Sequence, residues 1–221
     1  MRLGIDELLL NRVLRAPLEG RRLALLGHPA SVTGACRHSL DALMETRGMR
    51  VACAFGPQHG MRGDKQDNMI ETDDYTDPRH GIPVFSLYGE VRYPTADMLD
   101  SFDVLLVDLQ DIGTRIYTYL TTLAYVLEAC AEQGKGVWVL DRPNPIGGLI
   151  LEGNLVSTGF RSFVGRYPLP VRHGMTIGEL AWMINEVFDI SCSLRVVPME
   201  GWKRRMWFDQ TGLPWVLPSP N

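Results

Sequence analysis

The stretch 55–66, FGPQHGMRGDKQ, places side chains that can bind polar ligands or transfer protons at the end of an apolar run, MRVACAF (49–55). His59 follows Gln58 here, and an imidazole on a loop can carry a proton near neutral pH. Arg62 adds a guanidinium that can hold a carboxylate through two hydrogen bonds. The stretch therefore indicates a binding or catalytic loop, with a purely structural His59 as the alternative.

Three further polar segments are DLQDIGTRIYTY (108–119), DRPNPIGG (141–148) and YPLPVRHGMT (167–176). The first two follow apolar runs, and the third precedes a helix-like segment. Carboxylates, guanidinium groups and amides in such loops suit proton transfer and the binding of polar ligands. The candidate residues are Asp108, Asp111, Arg115, Tyr117, Asp141, Arg142, Asn144, Arg172 and His173.

Each of these candidates also has a structural interpretation. Asp111 could cap the following helix, and Arg115 could pair with Asp111 or Asp108. The residues of DRPN could form a self-paired turn, and those of VRHG could mark the end of a helix. What favours function is the expected convergence of four polar loops at one place.

The pattern of apolar residues predicts the elements that carry these loops. Strands are predicted at 22–29, 49–55, 82–89, 103–111, 136–145 and 193–199. Helices are predicted at 36–47, 94–102, 118–134 and 175–189, with a helical period also in residues 1–14. The predicted N-caps are Ser31 or Thr33, Thr95 and Thr176, and Gly134 is predicted to end the longest helix.

Continuous apolar strands that alternate with helices predict an α/β fold: a doubly wound, mostly parallel, Rossmann-like sheet covered on both faces. Ligands of such sheets bind beyond the carboxyl ends of the strands, so the four polar loops should meet at one edge. We expect this domain to span residues 1–210, followed by a Pro-rich tail at 211–221.

Composition excludes several classes of protein. The net charge is −4 and no Lys/Arg-rich block occurs, which argues against a nucleic-acid partner. No apolar run approaches the roughly 20 residues of a membrane span, and the N-terminus lacks the pattern of a signal peptide, which predicts a cytoplasmic protein. The scattered cysteines lack zinc-site spacing, and dinucleotide, P-loop, nucleophile-elbow and HExxH motifs are absent, so no metal or cofactor is predicted.

The chain resembles the N-terminal, Rossmann-like part of the exo-β-N-acetylmuramidase (NamZ-type) family of bacterial peptidoglycan hydrolases. The stretches that carry the resemblance run along nearly the whole chain: LLGHPASVT, FGPQHGMRGD, GIPVFSLYGEVRYPT, DVLLVDLQDIGTRIYTYLTTL, VLDRPNPIGG, EG at 152–153, FRSFVGRYPLPVRHGMTIGELA and GLPWVLPSPN. The resemblance implies release of N-acetylmuramic acid from the non-reducing end of muropeptide or glycan fragments. It also implies a second, C-terminal domain, to which we expect the Pro-rich tail at 211–221 to lead, and a site in the cleft between the two domains.

One departure from the family pattern bears on the chemistry. Typical members have a GPEHG-type motif whose Glu is the expected catalytic carboxylate, and this chain has Gln58 there. Gln cannot ionise, whereas glycoside hydrolysis normally needs an acid and a base or nucleophile. Substitutes for that Glu, acting with His59, are Glu71, Asp64 and Asp67, with Asp108 and Asp111 as the more rigidly placed alternatives.

The substrate implied by the resemblance also needs a cation, because N-acetylmuramic acid carries a lactyl carboxylate. The candidates for this clamp are Arg62, Arg115, Arg142 and Arg172. Two other functions stay open at this point: a glycan-binding module without catalysis, which Gln58 favours, and a hydrolase of another small anionic substrate.

Overall fold

The structure is a computed structural model that describes residues 1–63, 71 and 73–219. Two of the candidate carboxylates, Asp64 and Asp67, lie outside the described residues. Of the described residues, none forms a helix that is both long and apolar enough to cross a lipid bilayer.

A seven-stranded sheet forms the centre of the described chain, and it confirms the predicted α/β class. Its strands are β1 (Arg22–Gly27), β2 (Arg50–Gly56), β3 (Tyr75–Thr76), β4 (Pro83–Ser86), β5 (Val104–Asp108), β6 (Gly136–Leu140) and β7 (Ser193–Val197). Their order in space is β3-β4-β2-β1-β5-β6-β7, and every neighbouring pair is parallel except β3 with β4. The chain winds outward from β1 in both directions, so β1 and β5 flank the point where the winding reverses.

Six α-helices accompany the sheet in the described residues. They are α1 (Gly4–Leu10), α2 (Arg12–Arg15), α3 (Ser39–Met44), α4 (Ala96–Asp100), α5 (Tyr119–Glu132) and α6 (Ile177–Val187). Thr95 and Thr176 cap α4 and α6 as predicted, and Thr176 forms a full capping box with Glu179. Gly134, in the left-handed conformation at φ +62°, follows the end of α5.

The cap predicted for the helix at 36–47 is wrong. Helix α3 begins at Ser39, and His38 is its N-cap, accepting a hydrogen bond from the Leu40 amide at 3.3 Å. Thr33 instead lies in a turn, in which its amide donates to the Arg37 carbonyl and the Cys36 amide donates to the Thr33 carbonyl. Ser31 is used elsewhere: its hydroxyl accepts from the His28 amide and donates to the Asp108 carbonyl.

Each strand of the sheet centre is buried on both faces, because alternate residues enter two separate cores. On β1, Ala24 and Leu26 pack into the core covered by α4, α5 and α6, whereas Leu23 and Leu25 pack into the core covered by α1 and α3. Burial of this apolar surface, at roughly 25 cal/mol per Å², is the main force that assembles the layers.

The predicted strands are longer than the observed ones at their carboxyl ends. Strand β4 ends at Ser86, β5 at Asp108 and β6 at Leu140, several residues before the predicted limits of 89, 111 and 145. The polar residues beyond these points leave the sheet and bind one another instead. Strand β3 was missed, because a two-residue edge strand has too few residues to show a period.

Candidate functional site

A cleft of about 450 Å³ opens at the carboxyl edge of the sheet. Its lining comes from the loops after β2 and β4, the segment before α5, the loop at 162–164 and the C-terminal segment. The described residues that line it are Gln58, His59, Tyr88, Arg92, Ile116, Tyr117, Thr118, Tyr119, Ser162, Phe163, Val164 and Ser219. We refer to this set as the cleft; it contains no carboxylate among the residues that the structure describes.

Gln58 and His59 are placed in the cleft by a tight turn at the end of β2. The amide of Gly60 bonds the carbonyl of Pro57 at 2.9 Å, and a Cβ on Gly56 would lie 2.8 Å from the Met61 amide. His59 itself has φ +70° and is only 4% exposed. A non-glycine residue in this left-handed region stores strain, which is common at functional sites.

The side chain of Gln58 is held at the start of α5. The Thr118 hydroxyl donates to Gln58 Oε1 at 3.0 Å, and Thr118 is the N-cap residue of that helix. Gln58 is half-buried and directed into the cleft lining. Where the resemblance implies a catalytic Glu, this chain has an amide that can donate and accept hydrogen bonds but cannot transfer a proton as an acid.

His28 and Tyr119 form a rigid floor next to the cleft. Their rings stack with centroids 4.7 Å apart at 14°. The amide nitrogens of Ala30 and Gln110 lie 3.0 and 2.8 Å from Nδ1 and Nε2 of His28, and the neutral ring accepts a hydrogen bond at one of the two nitrogens. Burial, with the charge of Arg142, keeps the pKa of His28 well below its usual range, so the ring is neutral. Sequence analysis missed His28, although a histidine at the end of a predicted strand was a visible signal.

Asp108 lies in a closed ion pair below the cleft and is fully buried. Its carboxylate accepts from Arg142 Nε at 2.6 Å, from Arg142 Nη2 at 2.9 Å and from the Ser39 hydroxyl at 2.5 Å. The possible pairing of Asp108 with Arg115 is wrong, since Arg115 bonds the carbonyls of Asn154 and Leu169. The position of Asp108 gives no support to a catalytic role and instead makes it a structural cross-link.

Asp111 and His173 form a second buried contact. Asp111 Oδ2 accepts from the Gly113 amide at 2.6 Å and lies 3.2 Å from His173 Nε2. His173 Nδ1 accepts from the Met175 amide at 3.2 Å, and Nε2, although close to Asp111, makes no hydrogen bond with it. Helix α5 begins at Tyr119 with Thr118 as its N-cap, so the alternative in which Asp111 caps that helix is wrong.

The segment after β6 forms a turn that is bonded to α6. Asp141 accepts from the Gly178 amide at 2.8 Å, the Thr176 hydroxyl at 3.0 Å and the Arg142 amide at 3.0 Å. Burial nevertheless raises the pKa of Asp141 to about 6, and the three donors only partly offset it. Asn144 donates to the Met175 carbonyl at 2.9 Å, so it too serves the turn.

The four arginines predicted to hold the lactyl carboxylate all have partners within the chain. Arg62 bonds Asp41 at 3.0 Å and Asp77 at 3.2 Å, and Arg172 bonds Glu152 at 2.8 Å. Arg115 bonds backbone carbonyls and Arg142 bonds Asp108, as described above. None of the four lines the cleft.

Of the predicted site residues, the structure brings Gln58, His59 and Tyr117 together in the cleft. Burial raises the pKa of Tyr117, so its phenol stays protonated and can donate a hydrogen bond. Glu71 is exposed and does not line the cleft. The other candidates near this edge of the sheet do not line the cleft: Asp108, Asp141 and Arg142 are buried and hydrogen-bonded to neighbouring groups.

Sequence analysis missed several lining residues, among them Tyr88, Arg92 and Phe163. It also treated residues 211–221 as a tail. In the structure Pro218 and Ser219 are buried, Tyr119 donates its hydroxyl hydrogen to the Pro218 carbonyl, and Ser219 lines the cleft. These lining residues were hard to predict from the sequence, because single aromatic and small polar residues in loops show no periodic pattern. No group of three or more His, Cys, Asp or Glu side chains is placed to hold a metal ion in the part of the chain that the structure describes.

The doubly wound, mostly parallel sheet with helices on both faces defines a Rossmann-like α/β domain. Residues 23–221 match the family model described as exo-beta-N-acetylmuramidase NamZ, N-terminal, and the chain belongs to this family.

Relatives of known sequence and structure agree with this assignment. The chain is 49% identical over 218 residues to the peptidoglycan beta-N-acetylmuramidase NamZ of Bacillus subtilis (strain 168), covering 99% of this chain and 52% of that protein. Crystal structures of two DUF1343 family proteins of Bacteroides fragilis are also similar. One has a TM-score of 0.90 at 44% identity, covering 99% of this chain and 55% of the other. The second has a TM-score of 0.78 at 31% identity, covering 93% and 53%. The chain thus spans about half the length of the relatives it matches.

The buried pair of Asp108 and Arg142 predicts a large loss of stability on Asp108→Asn. The variant leaves the Arg142 charge buried without its counter-charge, which we expect to cost about 3 kcal/mol or more in the free energy of unfolding. Asp103→Asn is the matched control, because the Asp103–Arg22 pair is partly exposed and should cost at most about 1 kcal/mol. Urea unfolding measures both, and equal losses in the two variants would contradict the structural role of Asp108.

The raised pKa of Asp141 predicts a specific pH dependence. The folded protein binds the Asp141 proton more tightly than the unfolded chain, so this contribution to stability is complete below about pH 4 and is lost as the pH rises through about 6. Asp141→Asn cannot titrate, so its free energy of unfolding relative to wild type should rise by up to about 3 kcal/mol between pH 4 and 7.

Urea unfolding at a series of pH values measures this difference, in which the other titrating groups cancel. Asp103→Asn is the control: its free energy of unfolding relative to wild type should fall as the pH rises, because hydrogen bonds from Arg22 lower the pKa of Asp103. A difference between Asp141→Asn and wild type that does not change with pH would show that folding does not shift the pKa of Asp141.

Proposed function

We propose that the protein is an exo-acting glycoside hydrolase that releases N-acetylmuramic acid from the non-reducing end of peptidoglycan fragments. The observation that carries this proposal is the cleft at the sheet's carboxyl edge, in a chain of the NamZ family, with Gln58 and His59 in its lining. The Bacillus subtilis relative, which is named for this activity, supports it further.

The character of the cleft suits a sugar. Its volume of about 450 Å³ lies within the range of small-molecule sites. Aromatic rings of Tyr88, Tyr117 and Phe163 offer apolar surface, and the amide of Gln58 and the Tyr117 phenol offer hydrogen bonds. A pyranose presents the same combination of apolar faces and hydroxyl edges, which supports a glycan ligand.

His59 is the side chain that we assign to proton transfer. Glycoside hydrolysis requires a proton for the leaving oxygen and a base or nucleophile at the anomeric carbon. Imidazole is the side chain best suited to exchange protons near neutral pH, and His59 is the described lining residue with this ability. Gln58 then positions the sugar through hydrogen bonds at the place where typical members have a carboxylate.

The second acid–base group has to come from outside the described lining. Asp64 and Asp67 follow the Gln58–His59 turn in sequence and are the nearest candidates, with Glu71 beyond them. The buried Asp108 and Asp111 are less suitable, because the carboxylate of Asp108 is fully enclosed by donors and that of Asp111 is directed at Gly113 and His173.

His59→Asn tests the assignment of proton transfer. Asn tolerates the left-handed backbone at this position, so the fold should be kept while the imidazole is lost. We expect kcat of the full-length protein on a chromogenic N-acetylmuramide to fall by about 100-fold or more, with little change in Tm. Unchanged kcat in a folded variant would remove His59 from the chemistry.

Gln58→Glu tests the proposed activity itself. Full-length wild-type protein should release free N-acetylmuramic acid, and the variant, with a carboxylate beside Thr118 and His59, should turn over about tenfold faster or more. Gln133→Glu, the same change at an exposed position after α5, is the control and should match wild type.

The outcomes of this experiment separate two functions. Turnover by wild-type protein supports the hydrolase. Turnover confined to Gln58→Glu would contradict it and would identify the native protein as a glycan-binding module that uses the same cleft.

A further inference from the structure

Arg92 brings a cation into the cleft from the loop between β4 and α4. Its guanidinium carbon lies 4.9 Å from the Tyr88 ring centroid and 4.5 Å from that of Phe163. The two rings are themselves in contact, with centroids 6.1 Å apart. Cation–π contacts hold the plane of a guanidinium but leave its N–H edges available for hydrogen bonds.

Arg92 differs from Arg62, Arg115, Arg142 and Arg172 because, among the described residues, nothing in the chain accepts a hydrogen bond from it or pairs with its charge. In the described part of the chain no carboxylate lies within ion-pair distance of Arg92, and no residue accepts a hydrogen bond from it. Arg62, Arg142 and Arg172, by contrast, each bind an Asp or Glu.

Arg166 provides a comparison within the same molecule. Its guanidinium lies 4.7 Å from the Tyr125 ring centroid and 5.8 Å from that of Tyr167, so it has similar aromatic neighbours. Glu128 nevertheless binds it through both carboxylate oxygens, at 2.7 and 2.8 Å. Arg166 is therefore neutralised within the fold, whereas no residue in the described part of the chain neutralises Arg92.

No acidic side chain in the described lining of the cleft offsets the positive charge of Arg92. The described lining contains no Asp or Glu, although the protein as a whole has a net charge of −4. A cation without a neighbouring carboxylate in a partly apolar cleft favours an anionic ligand and disfavours a neutral one. Planar carboxylates match the paired N–H groups of a guanidinium particularly well.

We propose that Arg92, oriented by Tyr88 and Phe163, is the residue that recognises the sugar's lactyl carboxylate and so selects N-acetylmuramic acid over N-acetylglucosamine. The proposal rests on the proposed function, since it identifies the group that the same cleft recognises. It replaces the four arginines predicted from sequence with one that sequence analysis did not select. Arg92 acts here through binding and takes no part in proton transfer.

Equilibrium binding to the full-length protein, measured by calorimetry, tests this. The probes are N-acetylmuramic acid, its uncharged methyl ester and N-acetylglucosamine, which lacks the lactyl group. Wild-type protein should bind the acid about 10- to 100-fold more tightly than either neutral sugar. Arg92→Gln should abolish this preference and leave the affinity for the neutral sugars within about twofold, because only the charged contact is lost.

Two further variants separate recognition from structure. Arg92→Lys keeps the charge but loses the paired geometry, so its preference should fall between those of wild type and Arg92→Gln. Arg161→Gln removes an exposed arginine from the loop that carries Phe163, and because Arg161 does not line the cleft, the preference of this variant should match wild type.

The result that would overturn the proposal is a preference that persists in Arg92→Gln, or a loss of affinity that is equal for all three sugars. Equal binding of the acid and its ester by wild-type protein would overturn it as well. Because binding needs no turnover, these outcomes are independent of the hydrolase test. Protein that cleaves no muramide but shows the Arg92-dependent preference would contradict the activity and support the subsite.

Discussion

The buried ion pair between Asp108 and Arg142 organises the carboxyl edge of the sheet. Asp108 ends β5, next to β1 where the winding of the chain reverses, and Arg142 follows β6. The same carboxylate accepts from Ser39 at the start of α3, and the same guanidinium donates to the Val32 carbonyl. Two charges in an interior of low dielectric hold each other firmly, because the loss of either leaves the other unsolvated. The ion pair therefore fixes the positions of the elements that carry the loops around the cleft.

The polar residues at the carboxyl edge of the sheet form two layers. The lower layer is closed: Asp108, Asp111 and Asp141 accept hydrogen bonds from neighbouring loops and α6. The upper layer is open, and its residues come from loops that leave neighbouring strands and from the start of α5. His59 belongs to the upper layer only because the backbone accepts a left-handed conformation there. Strain at that turn is maintained by the packed layer beneath it.

The sequence predicted the class of fold, every strand except β3 and most helices, because burial on both faces gives continuous apolar runs and strong periods. It also predicted which loops meet at the edge, since the carboxyl ends of parallel strands coincide. It did not predict which polar side chains would pair with one another. Asp108 and Gln58 both lie at the ends of apolar strands. Asp108 is enclosed because Arg142 reaches its carboxylate, whereas Gln58 lines the open cleft. Arg92 was missed for the converse reason, because what distinguishes it is that no described residue pairs with its charge in three dimensions.

A crystal structure of the full-length protein with N-acetylmuramic acid would test the central claim, that the cleft beside Gln58 and His59 is a sugar site. The account predicts the pyranose within hydrogen-bonding distance of Gln58, beside the His59 ring, with its carboxylate at the Arg92 guanidinium. A sugar bound elsewhere on the protein, with the cleft empty under saturating ligand, would contradict it.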